Sequence, residues 1–178
     1  MIEPEEILRK FLADEGLACL EMFKAEGKYR QLTEDFIKGR LIQHIARDEP
    51  KLYLYQDFRV RYYKENEPDQ YVDLVISDKA LPYKKTLEEI WDDKKYDMVV
   101  CEIKLSSTTQ TTPIIKDQER LKKWGKAYPK IKFRFLYLEL GTKGKTPKIY
   151  LWDPSRDQVW DENKCREQQD KGKEINVL

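Results

Sequence analysis

The sequence has little of the two side chains that most often build metal and nucleophile sites. Among its 178 residues are one histidine and three cysteines. The single histidine, His44, disfavours histidine-rich metal sites and the serine–histidine hydrolase plan, although one histidine would suffice for the latter. The odd number and wide spacing of the cysteines argue against a disulfide framework or a cysteine-type zinc site. A reducing cytosol fits this pattern, so we expect a cytoplasmic protein.

The chain also lacks long apolar runs and an excess of charge of one sign. No stretch approaches the roughly 18 apolar residues of a membrane span, and the acidic N-terminal segment lacks the basic start of a secretory signal. We therefore expect no membrane partner. The net charge is +1, so a basic footprint for nucleic acid would have to be local. The hydrophobic fraction of 40% supplies enough apolar surface for the core of one domain.

Apolar periodicity divides the chain into two N-terminal helices, three strands, a helix and two further strands. The first helical segment has a potential break at Gly16, and Thr33 is the expected N-cap of the next helix. Three successive strands suggest hairpins, whereas the helix after the third strand implies a crossover to a parallel fourth strand. The sequence therefore predicts an α/β fold with a mixed sheet and helices on its faces.

The third strand, "MVVCEIKL", carries an acid and an amine in an otherwise apolar run. Glu102 and Lys104 lie one residue apart and point to the same side of an extended strand. Both faces of this strand begin apolar, which indicates a central, covered strand where an unpaired charge is costly. Asp73 is the single acid of the second strand, "YVDLVIS", and a hairpin would place it beside Glu102. Two such carboxylates suit Mg²⁺, and the lysine could orient or deprotonate a water, or stabilise an anion.

An Asp on one strand followed by Glu-X-Lys on the next resembles the PD-(D/E)XK nuclease superfamily. The resemblance spans roughly residues 33–140, where the order of helices and strands also agrees. It implies a restriction-endonuclease-like α/β/α core, in which helices flank a central mixed β-sheet. The implied single nuclease domain covers residues 1–155, with an insertion at 78–95, and a polar C-terminal tail follows at 156–178.

The resemblance also implies the composition of the site. It implies a divalent cation, Mg²⁺ with Mn²⁺ as a substitute, held by two carboxylates and a main-chain carbonyl: Asp73, Glu102 and Ile103. It implies a catalytic lysine and one further residue from each flanking helix: Lys104, Glu34 and Gln118. Glu34 shares a helical face with Ile37, Leu41 and Ile45, and Gln118 is expected on the inward face with Ile114 and Leu121.

Three features depart from the family pattern. The residue before Asp73 is Val72 rather than proline, which is common in the family. The long gap between Asp73 and Glu102 requires the insertion to lie between paired strands. Asp97 is closer in sequence, but its position in the alternation places it on the face opposite Glu102, so Asp73 is the preferred ligand.

Basic residues follow the motif and indicate a local phosphate-binding surface. They are Lys116, Arg120, Lys122, Lys123, Lys126, Lys130, Lys132, Arg134, Lys143, Lys145 and Lys148. With the resemblance, they predict a Mg²⁺-dependent endonuclease that hydrolyses phosphodiester bonds, with nucleic acid, DNA in particular, as partner. A homodimer is a further expectation, because many such nucleases act as dimers.

Two other interpretations stay open at this point. The domain could be a catalytically inactive PD-(D/E)XK-derived module that binds nucleic acid or protein. Alternatively, Glu102 and Lys104 form a structural ion pair, Glu34 is an ordinary first-turn acid, and the lysine run is a solvated surface. Divalent-ion binding separates these interpretations from an active nuclease.

Overall fold

The structure is a computed structural model that describes residues 3–26, 33–61, 70–82, 84–90, 95–107, 111–140, 148–154 and 158–161. The helices within these ranges are α1 (Pro4–Glu26), α2 (Glu34–Asp48), α3 (Leu87–Ile90) and α4 (Thr111–Ala127). The strands are β1 (Tyr53–Arg61), β2 (Gln70–Ser77), β3 (Met98–Ser107), β4 (Lys132–Leu140), β5 (Lys148–Asp153) and β6 (Gln158–Asp161).

The strands form one mixed sheet in the order β1-β2-β3-β4-β5-β6. Strands β3 and β4 are parallel and are joined by α4, whereas all other neighbours are antiparallel. This arrangement confirms the predicted α/β class, the crossover helix and the pairing of β2 with β3. A parallel neighbour requires a crossover connection, which is why α4 lies between β3 and β4.

Helices cover both faces of the sheet. On one face, α1 and α2 enclose a buried cluster that includes Ile7, Phe11, Leu41, Ile76, Val99 and Cys101. On the other, α3 and α4 enclose Val75, Ile90, Val100, Leu121, Trp124 and Phe135. Successive residues of β2 and β3 thus face opposite layers, as the apolar runs on both sides predicted. Burial also raises the pKa of the Cys101 thiol far above its ordinary value, so this thiol is unreactive at neutral pH.

The two N-terminal helices differ in how their ends are set. Helix α1 continues through Gly16 without a break, because its apolar side is packed against the sheet and α2. Tertiary packing of this kind outweighs the cost of about 1 kcal/mol for a helical glycine. Helix α2 begins as predicted after Thr33, whose Oγ1 accepts a hydrogen bond of 3.1 Å from the Phe36 amide.

The connection between β2 and β3 is closed at its base. The Asp78 amide donates to the Asp97 carbonyl over 3.0 Å, and the Asp97 amide donates to Asp78 Oδ1 over 2.9 Å. Asp97 also lies 3.4 Å from Lys132 Nζ. These contacts let the strands pair despite residues 78–95 between them. Helix α3 lies within this segment, whose residues 83 and 91–94 lie outside the described part of the chain.

The C-terminal prediction needs a correction. Residues 158–161 were expected in a polar tail, but they form β6, which pairs with β5 from Tyr150↔Asp161 to Asp153↔Gln158. Four residues are too few to show an apolar period, and the strand exists because the edge of β5 supplies hydrogen-bond partners. Residues 162–178 lie outside the described residues. Within the described residues, no helix combines the length and apolarity needed to cross a bilayer.

Candidate active site

The site lies where β2 and β3 part. Their last paired residues are Leu74 and Cys101, and one further step in the register places Asp73 opposite Glu102. At this point Asp73 Oδ2 accepts a hydrogen bond of 2.7 Å from the Ile103 amide. A side chain thus takes the position that a backbone acceptor would hold in a continued ladder, and two carboxylates from neighbouring strands come together as predicted.

Glu102 is the most deeply buried acid of the site. The residue is 4% exposed. Its Oε1 accepts a hydrogen bond of 2.6 Å from Arg120 and lies 3.7 Å from Lys104 Nζ. Its Oε2 is buried and has no hydrogen-bond partner among the described residues. Burial, together with the charge of Asp73, raises the pKa of Glu102 to about 7 against the opposing effects of Arg120 and Lys104.

At Asp73, burial and hydrogen bonding likewise have opposite effects on the pKa of the carboxyl. The residue is half-buried, and this desolvation raises the pKa of its carboxyl above the ordinary value. The hydrogen bond from the Ile103 amide and the charges of Lys104 and Lys38 act in the opposite direction. The charge of Asp73 raises the proton affinity of Glu102, and a bound cation would relieve that repulsion.

Lys104 is surrounded by carboxylates. Its Nζ lies 3.4 Å from Glu34 Oε2, 3.7 Å from Glu102 Oε1 and 3.8 Å from Asp117 Oδ2. Burial opposes the charge of the amine, but the carboxylates outweigh it and raise the pKa of Lys104 above the ordinary value. The amine is therefore protonated at neutral pH. In this protonated form it can donate hydrogen bonds and stabilise an anion.

Glu34 joins the start of α2 to the far end of β3. Its Oε1 accepts a hydrogen bond of 3.2 Å from the Leu105 amide, while Oε2 faces Lys104. Ile37, Leu41 and Ile45 on the same helical face are fully buried, and they fix this helix against the sheet. The predicted helical face is confirmed, and it carries Glu34 to the amine of Lys104.

Helix α4 contributes two residues that were not predicted for the site, although Arg120 was expected in the basic run. Asp117 and Arg120 form an ion pair of 2.9 Å, and each contacts a residue of β3. Gln118 is half-buried, and within the described residues the structure gives it no hydrogen bond or ion pair with the site. The spacing of Asp117 and Arg120 with the buried Leu121 and Trp124 is a helical stripe, which could have identified them.

The residues present fit a divalent cation. Four carboxylates meet three cationic side chains here, which leaves a surplus of negative charge: Glu34, Asp73, Glu102 and Asp117 against Lys38, Lys104 and Arg120. Carboxylate oxygens are hard ligands of the type that Mg²⁺ takes. The buried, unpartnered Oε2 of Glu102 is a further acceptor for which the described residues provide no donor.

A second group of acidic and histidine side chains lies between α1 and α2. Ligand atoms of Asp14, His44 and Asp48 lie within 4.8 Å of one another. Lys10 pairs with Asp48 over 2.8 Å, and Arg47 lies 2.9 Å from His44 Nδ1. These cations already compensate the group, and it does not identify Mg²⁺. It is separate from the pair of Asp73 and Glu102.

The basic run after the motif is divided by the fold. Arg134 is buried and pairs with Glu5 and Asp153, so it serves the core. Lys132 lies 3.5 Å from Glu3 and 3.4 Å from Asp97. The remaining described lysines of the run are exposed: Lys116, Lys122, Lys123, Lys126 and Lys130. Lys143 and Lys145 lie outside the described residues, and so does the side chain of Lys148.

No protein-family model, curated protein or solved structure matches this chain. The resemblance to PD-(D/E)XK nucleases therefore stays a prediction from the motif and from the order of helices and strands.

Proposed function

We propose that this chain is a divalent-metal-dependent phosphodiesterase that hydrolyses nucleic acid, with DNA as substrate and Mg²⁺ as cofactor. The observation that carries the proposal is the juxtaposition of Asp73 and Glu102 across neighbouring strands, with Lys104 on the same strand as Glu102. We place the protein in the cytoplasm, in keeping with the buried free thiol of Cys101. The fold is proposed to be the restriction-endonuclease-like variant of the α/β sandwich.

Asp73 and Glu102 would hold the cation, with Ile103 supplying a main-chain carbonyl. When bound, Mg²⁺ would lower the pKa of a bound water and neutralise charge on the phosphate. The buried position of Glu102 favours this role, because a dry site strengthens each electrostatic contact.

Lys104 would act as a protonated donor beside the two carboxylates. Its ammonium can orient the attacking water or contact a phosphate oxygen, and in either case it stabilises negative charge that grows in the transition state. Glu34 would position this amine, since its Oε2 lies 3.4 Å from Nζ, while Glu102 Oε1 lies 3.7 Å from the same atom. Asp117 adds a third carboxylate that holds the ammonium in place.

One contact favours a second candidate function, an inactive binding module. Arg120 already donates a hydrogen bond of 2.6 Å to Glu102, so part of the buried charge is compensated without a metal. A module of this kind would keep the fold and bind nucleic acid or protein, but it would not bind Mg²⁺. Calorimetric titration with Mg²⁺ separates the two functions: heat that is lost in Glu102→Gln supports the enzyme, and its absence in the unaltered protein supports the module.

The cleavage experiment compares supercoiled plasmid, linear duplex and single strands, each with Mg²⁺, Mn²⁺ or EDTA. Glu102→Gln and Lys104→Met remove the proposed groups with little change in shape. Glu119→Gln and Lys123→Met are matched controls, because both residues are exposed on α4. We expect metal-dependent cleavage that the first pair abolishes and the second pair preserves. Cleavage that survives Glu102→Gln would contradict the proposed site.

A further inference from the structure

A groove of about 720 Å³ lies along β1, beside the start of β2 and the segment after it. This volume is in the range of pockets that enclose small ligands. The lining consists of Leu54, Tyr55, Gln56, Asp57, Phe58, Arg59, Tyr71, Lys84, Lys85 and Thr86. None of these residues belongs to the site around Glu102.

The groove ends one strand away from the candidate active site. Asp57 lies between the pairs Gln56↔Leu74 and Phe58↔Val72, which places it opposite Asp73. Lys38 links the two positions: its Nζ lies 3.1 Å from Asp57 Oδ1, and the charge of Asp73 acts on it as well. A chain lying in the groove is therefore one strand spacing, about 5 Å, from Asp73 and two spacings, about 10 Å, from Glu102.

Two backbone outliers line the same groove. Among the described residues, the non-glycine residues with positive φ are Asp57 at 47° and Lys84 at 63°. A left-handed conformation is unfavourable for a long side chain such as lysine, and such outliers cluster at functional sites. Both residues present exposed, charged side chains at this groove.

The charge of the lining complements phosphate. Arg59, Lys84 and Lys85 supply positive charge, and the one acid of the lining, Asp57, is paired with Lys38. Cations along a groove bind the phosphodiester backbone independently of sequence. The surplus is local, because the chain as a whole has a net charge of only +1.

The aromatic side chains of the lining select the form of the nucleic acid. Tyr71 is 44% exposed although Arg59 lies over its ring at 5.4 Å from the centroid and donates to its hydroxyl over 2.8 Å. Tyr55 and Phe58 contact edge to face with centroids 5.6 Å apart. Aromatic and guanidinium planes stack on unpaired bases, whereas the base faces of a duplex are already stacked on one another.

We infer that this groove binds single-stranded nucleic acid and leads it towards Asp73 and Glu102. That the groove leads nucleic acid to a cleavage site rests on the proposed function, whereas binding of nucleic acid in the groove is independent of it. The inference therefore assigns single strands, or the unpaired ends and flaps of duplexes, as the preferred substrate class. It also assigns Tyr71, Arg59, Lys84 and Lys85 as substrate contacts.

The test measures binding in EDTA, so that its outcome is independent of catalysis. Fluorescence anisotropy would compare a labelled oligothymidylate with a blunt duplex of equal length at low salt. The groove variants are Tyr71→Leu, which keeps apolar bulk without a ring, and the double variant Lys84→Ala/Lys85→Ala. Tyr53→Ala and Lys79→Ala are matched controls, because Tyr53 is equally exposed on β1 and both residues lie outside the groove lining.

We expect the single strand to bind more tightly than the duplex. Tyr71→Leu should weaken single-strand binding about 5- to 100-fold, as expected for one lost stacking contact, and Tyr71→Phe should retain it. The double lysine variant should weaken binding and flatten its dependence on salt. The control variants should bind like the unaltered protein, and thermal denaturation should show that every variant is folded.

Three results would overturn the inference: no single-strand binding, equal binding of duplex and single strand, or binding that all groove variants retain. Because β1 is an edge strand, the groove could instead pair with an extended peptide, and the first result is the one expected in that case. Failure of the groove is distinguishable from failure of the enzyme. If the protein and its groove variants all cleave duplex in a metal-dependent way, the nuclease proposal stands and the groove inference fails. If the protein binds single strands tightly but does not cleave, the groove inference stands and the nuclease proposal fails.

Discussion

Arg120 donates a hydrogen bond of 2.6 Å to Glu102 and at the same time contacts Asp117 over 2.9 Å. The guanidinium thus stands between the most deeply buried carboxylate of the site and a more accessible one, since the Glu102 side chain is 5% exposed and that of Asp117 is 15% exposed. A divalent cation at Glu102 would meet this positive charge. Asp117 offers Arg120 a second partner on the same helix, so a shift of the guanidinium towards Asp117 would release Glu102.

We therefore expect Arg120→Ala to tighten Mg²⁺ binding about 10-fold or more. The physical reason is the loss of repulsion between two cations a few ångströms apart, which amounts to several kcal/mol at the effective dielectric of a protein surface. Isothermal titration calorimetry would measure the affinity, with Lys123→Ala as an exposed control on the same helix. Weaker binding in Arg120→Ala would show that the guanidinium supports the cation site rather than competing for it.

The raised pKa of Glu102 makes a prediction about stability and pH. The folded protein binds the proton of this carboxyl more tightly than the unfolded chain does, because the pKa rises from 4.5 to about 7. The stabilisation that the bound proton gives to the folded state is fully present below pH 4.5 and is lost as the pH rises through 7. Glu102→Gln removes the ionisation. The variant should therefore gain stability relative to the unaltered protein between pH 5 and 8, by up to about 3 kcal/mol.

Urea denaturation in EDTA across this pH range would check the prediction. The difference in free energy of unfolding between Glu102→Gln and the unaltered protein should grow with pH and level off above about 7. Glu119→Gln, which changes an exposed glutamate on α4, should show a flat difference. A flat difference for Glu102→Gln as well would mean that Arg120 and Lys104 fully compensate the buried charge.

The parts of the site that were predictable follow from local rules. Alternation along a strand fixes that Glu102 and Lys104 share a side, and a lone acid in an apolar strand is visible at Asp73. The register between strands is not visible, yet the apolar pattern on both faces restricts it, and the pairing came out as expected. Thr33 as an N-cap is likewise local chemistry.

The parts that were not predictable depend on tertiary placement. Gln118 and Asp117 are adjacent in sequence but about 100° apart around a helix, so the rotation of α4 on the sheet decides which of them meets β3. The protonation of Lys104 depends on carboxylates from four separate elements, and of these carboxylates only Glu102 is close to it in sequence. Strand β6 is too short to show a recognisable sequence pattern, and it forms because the edge of β5 offers backbone hydrogen-bond partners.

Glu34 and Gln118 give a direct comparison of the two helices. Glu34→Gln should lower the cleavage rate roughly 10- to 100-fold, the usual cost of losing a residue that orients a catalytic group. It should also lower the pKa of the Lys104 amine, since the charge of Glu34 raises it, and NMR titration of that amine would show the shift. Gln118→Ala should leave both quantities unchanged. A large loss of cleavage in Gln118→Ala would mean that α4 turns a different face to the substrate complex.

The N-cap of α2 connects the stability of the fold to the site. Thr33→Ala removes the acceptor for the Phe36 amide and should lower the free energy of unfolding by about 1 kcal/mol, whereas Thr33→Ser should restore it. Because Glu34 follows the cap directly and bonds the Leu105 amide, fraying of this turn should also loosen the contact with Lys104. We therefore expect Thr33→Ala to lower the cleavage rate in parallel with Glu34→Gln, and the double variant to lose no more than Glu34→Gln alone. Additive losses in the double variant would show that the cap acts on cleavage through a route other than Glu34.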